Sequence, residues 1–245
     1  MTDKLRPDFA AAVADIPDGA TIGFAGFGMP GTPFNLIAAL AEHRARDLTL
    51  VANTTGGAQQ PRMPDIGLLV ERGKVRKVIC AFTAATRASD VLPFTRHYEA
   101  GEVAAELVPQ GTLAERLRAA DAGIPAFYTP TGVGTELAEG RETRVIDGRE
   151  YLLEYALRLD YAFLRARRAD AVGNLQFHRS QRNFNPVMAT AARIALVEVE
   201  EPILPAGAID PDAVHLPGIY IHRMVRVPPP PVGLWPRKRE ERAPR

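Results

Sequence analysis

Short aliphatic runs alternate along this chain with amphipathic segments. Ala20–Phe24, Leu48–Ala52, Val75–Phe82, Tyr161–Ala166 and Ile194–Glu200 are apolar without strict alternation. That pattern suits parallel strands covered on both faces. Between them lie helical patterns: a lead-in segment ending at Pro17 with Phe9, Val13 and Ile16 at helical spacing, a stripe of Leu36, Ile37 and Leu40, a short helix from Ile66 to Val70 stopped at Gly73, and Leu113 with Leu117. Glu102–Val108 reads as a short buried strand, Ile124–Phe127 as a further short strand, and Ile219–Val225, with alternating polarity, as the strand that closes the sheet region. Thr143–Glu154 reads as a hairpin around Asp147-Gly148. Gly173–Phe177 reads as a turn with a short strand. The predicted fold class is α/β: an open, mostly parallel sheet with flanking helices and a small hairpin insertion, over residues 1–227. Four prolines from Pro228 and a charged run beginning at Arg237 predict a disordered tail over 228–245.

Helix starts follow from local chemistry. Thr32 before Pro33 predicts an N-cap and first helical residue, and Asn185-Pro186 predicts the same for a helix running to Arg193. Thr112, with Glu115 three residues on, predicts a capping box. Gln110 and Gly111 then sit where a strand turns into a helix N-terminus. In open α/β sheets ligands bind at that edge, where uncapped N–H groups and the helix dipole favour negative charge. A neutral amide there can donate to a developing oxyanion or can simply cap its own helix, and position alone does not choose.

The loop after the first strand holds Gly26-x-Gly28-x-x-Gly31, the spacing of a dinucleotide-binding turn. Such a site wants an acidic side chain at the end of the second strand to hold a ribose hydroxyl, whereas this chain has Asn53-Thr54-Thr55 there. The dinucleotide reading is therefore set aside.

Two longer motifs point elsewhere. Val108–Arg116, continued by Ala122–Thr135, resembles the A subunit of family I CoA-transferases, of the succinyl-CoA:3-oxoacid and 3-oxoadipate type. The likeness runs from about Asp18 to Val227. It takes in Ala25-Gly26-Phe27 and Gly31-Thr32-Pro33, where the family has Gly-Gly-Phe and Gly-x-Pro, so Ala25 departs from its first glycine. The resemblance implies a ribose-5-phosphate isomerase-like fold, with Gln110 as the oxyanion donor. It implies substrate binding by Gly26, Phe27, Gly28, Gly31, Asn53, Thr54 and Gly111. Asn53 matches the first of two adjacent asparagines that line the acyl pocket of the 3-oxoacid enzymes, and Thr54 replaces the second.

In that family a glutamate in a Ser-Glu-Asn-Gly-type motif attacks the acyl-CoA thioester, and it belongs to the B subunit. This chain has no such motif. The resemblance therefore implies a hetero-oligomer, of A2B2 type, inactive without its partner, that moves CoA from succinyl-CoA or acetyl-CoA to a 3-oxo acid. Coenzyme A thioester is then a substrate, with no permanently bound cofactor. Two alternatives stay open: a subunit of a CoA-thioester or ring-opening hydrolase on the same fold, and a non-catalytic relative.

Composition narrows the partners. Lys plus Arg is 30 and Asp plus Glu is 29, so net charge is +1 and no strong field points to nucleic acid. No apolar run is long enough for a membrane span and no signal-peptide pattern opens the chain, so the expected address is the cytoplasm. The one cysteine, Cys80, follows Val78-Ile79 and reads as a buried structural thiol. The five histidines lack metal-ligand spacing, so no metal is expected. Arg87 reads as a solvated arginine, and Glu136 and Glu139 as solvated carboxylates.

Overall fold

Ile22 to Phe24 and Leu48 to Asn53 are buried without interruption, so the strands that contain them need cover on both faces. The computed structural model describes residues 3–57, 63–85 and 91–228. The first half of the chain runs α1 (Phe9–Val13), β1 (Thr21–Phe24), α2 (Phe34–Glu42), β2 (Leu48–Thr54), α3 (Gly67–Glu71), β3 (Val75–Phe82), α4 (Pro93–Glu99), β4 (Ala104–Leu107) and α5 (Gln110–Asp121). Then come β5 (Ala126–Thr129), β6 (Thr143–Ile146), β7 (Arg149–Tyr155), β8 (Leu159–Ala166), β9 (Arg168–Ala169), β10 (Leu175–Gln176), α6 (Asn185–Ala191), β11 (Ala192–Val199) and β12 (Arg223–Arg226).

Seven strands form one sheet in the order β12-β11-β8-β1-β2-β3-β4, every neighbouring pair parallel. The chain builds outward from β1 to β4, then returns to the other side of β1 with β8. All seven C-terminal ends therefore share one edge, and the direction of winding reverses beside β1, the place where open α/β sheets leave a crevice. Ile16, Leu36, Ile37, Leu40, Leu69 and Phe94 of the α1–α4 side pack on one face, where Phe24 meets Phe163 edge to face at 5.1 Å. Leu113 and Leu117 of α5 and Met188 of α6 pack on the other face.

The α/β class and the parallel sheet agree with the pattern reading, and β3 falls on its predicted bounds. The hairpin is β6–β7, its turn made by Asp147 (φ 49°) and Gly148 (φ 75°). Several expectations need correction. β4 is an edge strand, largely exposed, because only β3 covers its side; Val103 and Val108 at its ends carry the burial. The short strand expected at Ile124 is present but starts at Ala126, and as β5 it pairs with β7 in a separate antiparallel sheet, β5-β7-β6. Gly218–Tyr220 is a helical turn that leaves Ile219 exposed, so the last strand starts only at Arg223. α4, with Pro93 at its start and only Pro93 and Phe94 buried, has too small an apolar stripe to announce itself.

None of the three predicted N-caps holds. α2 begins at Phe34 and Thr32 Oγ1 donates back to Gly28 O (2.7 Å). α5 begins at Gln110, which places Thr112 inside the first turn, and Glu115 pairs with Arg118. Asn185 lies inside α6, which gives way to β11 at Ala192, before Arg193. The residues from 229 onward, the segment 86–90 that holds Arg87, and 58–62 lie outside the described residues. Among the described residues no helix is long and apolar enough to cross a membrane.

Candidate active site

Four connections leave the C-terminal edge of β1, β2, β3 and β4, and the site is built from them. The first, Ala25–Pro33, folds on itself through Phe27 N to Pro30 O (3.1 Å) and the Thr32 hydroxyl. Gly26 takes φ 117°, and a Cβ there would lie 2.3 Å from Thr32 Oγ1, so no side chain fits. Gly31 (φ 79°) faces the opposite way, and a Cβ there would meet Gln181 O at 2.6 Å and Asn185 Nδ2 at 2.7 Å. Buried Asn185 donates to Gly31 O (3.2 Å) and Gln181 O (2.9 Å) and accepts from Arg165 N (2.9 Å). Asn183 adds a bond to Pro30 O (2.8 Å). These two asparagines tie the first connection to the chain entering α6.

The second connection leaves β2 through Asn53 and Thr54, residues of the strand itself rather than of a turn. Asp65 accepts from Gly57 N with both oxygens (3.1 and 3.0 Å) and from Gly67 N (3.0 Å), so it holds the Gly56-Gly57 bend against the start of α3. Between these connections lies a cavity of about 560 Å³. Gly26, Gly28 and Met29 form one wall, Asn53 and Thr54 the floor, and Phe82 and Leu92 the far side.

The fourth connection delivers Gln110 as the first residue of α5, with no side-chain cap on that helix. Gln110 is exposed, and its Nε2 donates to Asn53 Oδ1 at 2.6 Å. A second amide hydrogen on the same nitrogen has no acceptor among the described residues. An exposed amide donor at an uncapped helix N-terminus is suited to meet negative charge.

The N-terminus of α2 is not available for such a role. Glu198, fully buried on β11, accepts from Asn35 N (2.8 Å), Leu36 N (3.1 Å), Asn35 Nδ2 (3.2 Å) and Arg165 Nη1 (2.5 Å). Burial pushes its carboxyl up to about 7, against the pull of Arg165 and of the helix N–H groups. The donors that would cradle a phosphate in a dinucleotide-binding turn are thus engaged from within the fold.

The expected site residues are therefore split. Gly26, Gly28, Asn53 and Thr54 line the cavity, and Gln110 joins them through Asn53. Phe27 stands 51% exposed and does not line the cavity, Gly31 packs behind its loop, and Gly111 borders a shallow groove with Ala114 and Pro186. Sequence reasoning missed Asp65, Asn185 and Glu198 as organisers. Only Glu198 left a signal, a lone carboxylate in the aliphatic run Leu196–Val199. Cys80 is buried and burial pushes its thiol up to about 11, as suits an inert structural residue. Among the described residues no group of three or more His, Cys, Asp and Glu side chains could hold a metal ion.

Comparison with known proteins bears on this geometry. The family described as Coenzyme A transferase matches residues 6–226. The chain is 45% identical over 229 residues to the A subunit of the 3-oxoadipate CoA-transferase of Pseudomonas putida, covering 93% of this chain and 95% of that one. It is 48% identical over 223 residues to the A subunit of the succinyl-CoA:3-ketoacid coenzyme A transferase of Xanthomonas campestris pv. campestris (strain B100), covering 91% and 88%. Among solved structures it resembles the acyl-CoA transferase YdiF of E. coli O157:H7 in a thioester complex with CoA, with a TM-score of 0.76, 24% identity and 92% of this chain covered. This chain spans about half the length of that one, 47%.

Proposed function

This chain belongs to the coenzyme A transferase family, and we propose that it is the A subunit of a transferase that moves CoA from succinyl-CoA or acetyl-CoA to a 3-oxo acid. Its partner supplies a glutamate. The glutamate carboxylate attacks the acyl carbon of the thioester and CoA leaves as the thiolate. The thiolate attacks the glutamyl carbonyl of the resulting anhydride, which forms glutamyl-CoA and releases the donor acid. The acceptor carboxylate then runs the same steps in reverse. Each acyl transfer passes through a tetrahedral oxyanion, and Gln110 donates to it. Each preorganised donor of this kind lowers the barrier by about 3–4 kcal/mol. CoA enters as substrate, with no resident cofactor.

The observation that carries this reading is the exposed Gln110 amide at the start of α5, bonded to Asn53 on the cavity floor. The names of the similar proteins, each an A subunit, support a partner chain. So does the apolar rim: Phe27, Phe82 and Leu107 are 51%, 52% and 45% exposed on the edge that bears the site. We place two copies of each chain in the assembly, in the cytoplasm.

The test is reconstitution with the glutamate-bearing partner. Gln110→Ala keeps assembly and lowers turnover on the order of 10²-fold; unchanged turnover overturns the role given to Gln110. Full acyl exchange by this chain in isolation overturns the division of labour. CoA release that needs no carboxylic acid marks a thioester hydrolase instead.

A further inference from the structure

Gln110 sits at the tip of α5, where apolar packing alone would leave it loosely set. Leu113 and Leu117 bury that helix against the sheet, but the hydrophobic effect that drives such burial is non-directional. A charged side chain about one and two-thirds turns further on ties the helix to the strands beside it. Arg116, 10% exposed at its side chain, donates Nη1 to Glu106 Oε1 on β4 (2.7 Å) and Nε to Tyr155 O on β7 (2.8 Å). Its own carbonyl accepts from Leu157 N (2.9 Å). Glu106 is also held by Lys77 Nζ from β3 (2.5 Å). Buried Glu154, 3.8 Å from Arg116 Nε, is paired in turn with Arg141.

Glu106 lies on β4, just before the turn, and Arg116 lies on α5, just after it, ten residues apart. Their bond closes the strand-turn-helix connection around Gln110. Burial works against an ionised Glu106, yet the bonds and charges of Arg116 and Lys77 outweigh it and hold the carboxyl below its ordinary range. Glu106 thus meets the Arg116 guanidinium as a carboxylate. A guanidinium fork fixes direction as well as distance.

We infer that the Arg116–Glu106 clasp is a positioning device: it sets the axial place and rotation of α5, and through them the point in space to which Gln110 presents its amide. The inference rests on the oxyanion reading of Gln110. A donor displaced by about 1 Å can lose up to 10²-fold in rate, so the clasp acts on kcat rather than on substrate affinity.

The experiment uses the chain assembled with its glutamate-bearing partner and reads kcat and KM for acyl-CoA separately, in Gln110 and Gln110→Ala backgrounds. Arg116→Met lowers kcat about ten-fold with KM little changed, and it adds no further loss once Gln110 is alanine. Arg116→Lys, which keeps the charge without the fork, fails to restore kcat. Glu106→Gln, a milder change that keeps an acceptor and an overall fold, gives a smaller loss of the same kind. Equal losses in both backgrounds overturn the inference, because the clasp would then act independently of Gln110. So does full rescue by lysine, which would reduce the clasp to charge balance. If Gln110→Ala alone leaves kcat unchanged, the oxyanion reading falls and takes this inference with it, an outcome distinct from the other two.

Discussion

Gln110 and Asn53 meet although the strands that deliver them are separated by β3: the Gln110 amide donates to Asn53 Oδ1 across 2.6 Å. Asn53 is 5% exposed and stands next to the end of a central strand, so its side chain has little freedom. It gives the Gln110 amide one fixed partner and leaves the other hydrogen to point elsewhere.

This predicts an unusual ranking of Asn53 variants. Asn53→Ala removes the acceptor and lowers turnover of the assembled enzyme about ten-fold, about 1.4 kcal/mol of barrier. Asn53→Asp keeps an acceptor but sets a carboxylate beside a centre that becomes an oxyanion, and like charges repel. Asp is therefore the worse of the two, on the order of 10²-fold below the native enzyme. Steady-state rates of the two variants decide it. A benign Asp with a damaging Ala would mean that Asn53 only holds Gln110 in place.

The first connection makes a second prediction through two glycines that share a left-handed backbone but not their surroundings. Gly28 (φ 62°) has open space where a Cβ would stand, whereas at Gly31 (φ 79°) a Cβ would strike Gln181 O and Asn185 Nδ2. Gly28→Ala carries only the backbone penalty, about 1 kcal/mol. Gly31→Ala adds a clash with the chain that enters α6 and reaches about 3 kcal/mol. Thermal unfolding separates them: at about 2–4 °C per kcal/mol, Gly31→Ala drops Tm several degrees further. Gly31→Ala also raises KM for acyl-CoA, since the loop it displaces carries Gly26 and Gly28 into the cavity. Equal Tm losses would remove the contact with Asn185 from the account.

How far the sequence could be read follows from the range of each interaction. Val75 to Phe82 and Asp147-Gly148 were legible because a strand period and a turn dipeptide are local signals. Asn53 and Gln110 were legible as strand-end residues, but their contact spans 57 positions and no spacing rule reports it. The caps failed for the same reason. Thr32 is a good local cap, yet the Asn35 and Leu36 N–H groups of α2 are taken by Glu198, 163 residues from Asn35 and on β11. A cap chosen from its neighbours loses to a buried carboxylate that needs those donors. Thr112 lost its place because α5 starts at Gln110, and the capping position falls to Pro109, which has no side-chain oxygen to accept from the first N–H groups. The composition of β4 suits a buried strand, but exposure depends on sheet order, which composition does not carry.

The last prediction concerns acid. His215 Nδ1 accepts from Phe177 N at 3.0 Å, and the ring lies nearly parallel to Phe177, 6.3 Å between centroids. Burial, and then the nearby Arg182 charge, hold its pKa below the ordinary value of 6.5. The neutral ring is the form that can accept from the backbone, so the geometry and the shift agree in direction. In the unfolded chain the same ring protonates near 6.5. Above that value both states are neutral and the full stabilisation is present. As pH falls below it the unfolded state takes up protons that the folded state resists, and stability declines through the depressed folded value. His222 adds to the same trend, since its Nδ1 accepts from Ala195 N (3.1 Å) and its pKa is also lowered, by burial first. His215→Asn keeps an acceptor oxygen near the place of Nδ1 but cannot titrate in this range. The variant loses some stability at pH 8 with the ring contact to Phe177, and its unfolding free energy then falls less between pH 7 and pH 5 than that of the native chain. Denaturant melts at a series of pH values measure both slopes, and parallel slopes would show that His215 carries none of the acid sensitivity.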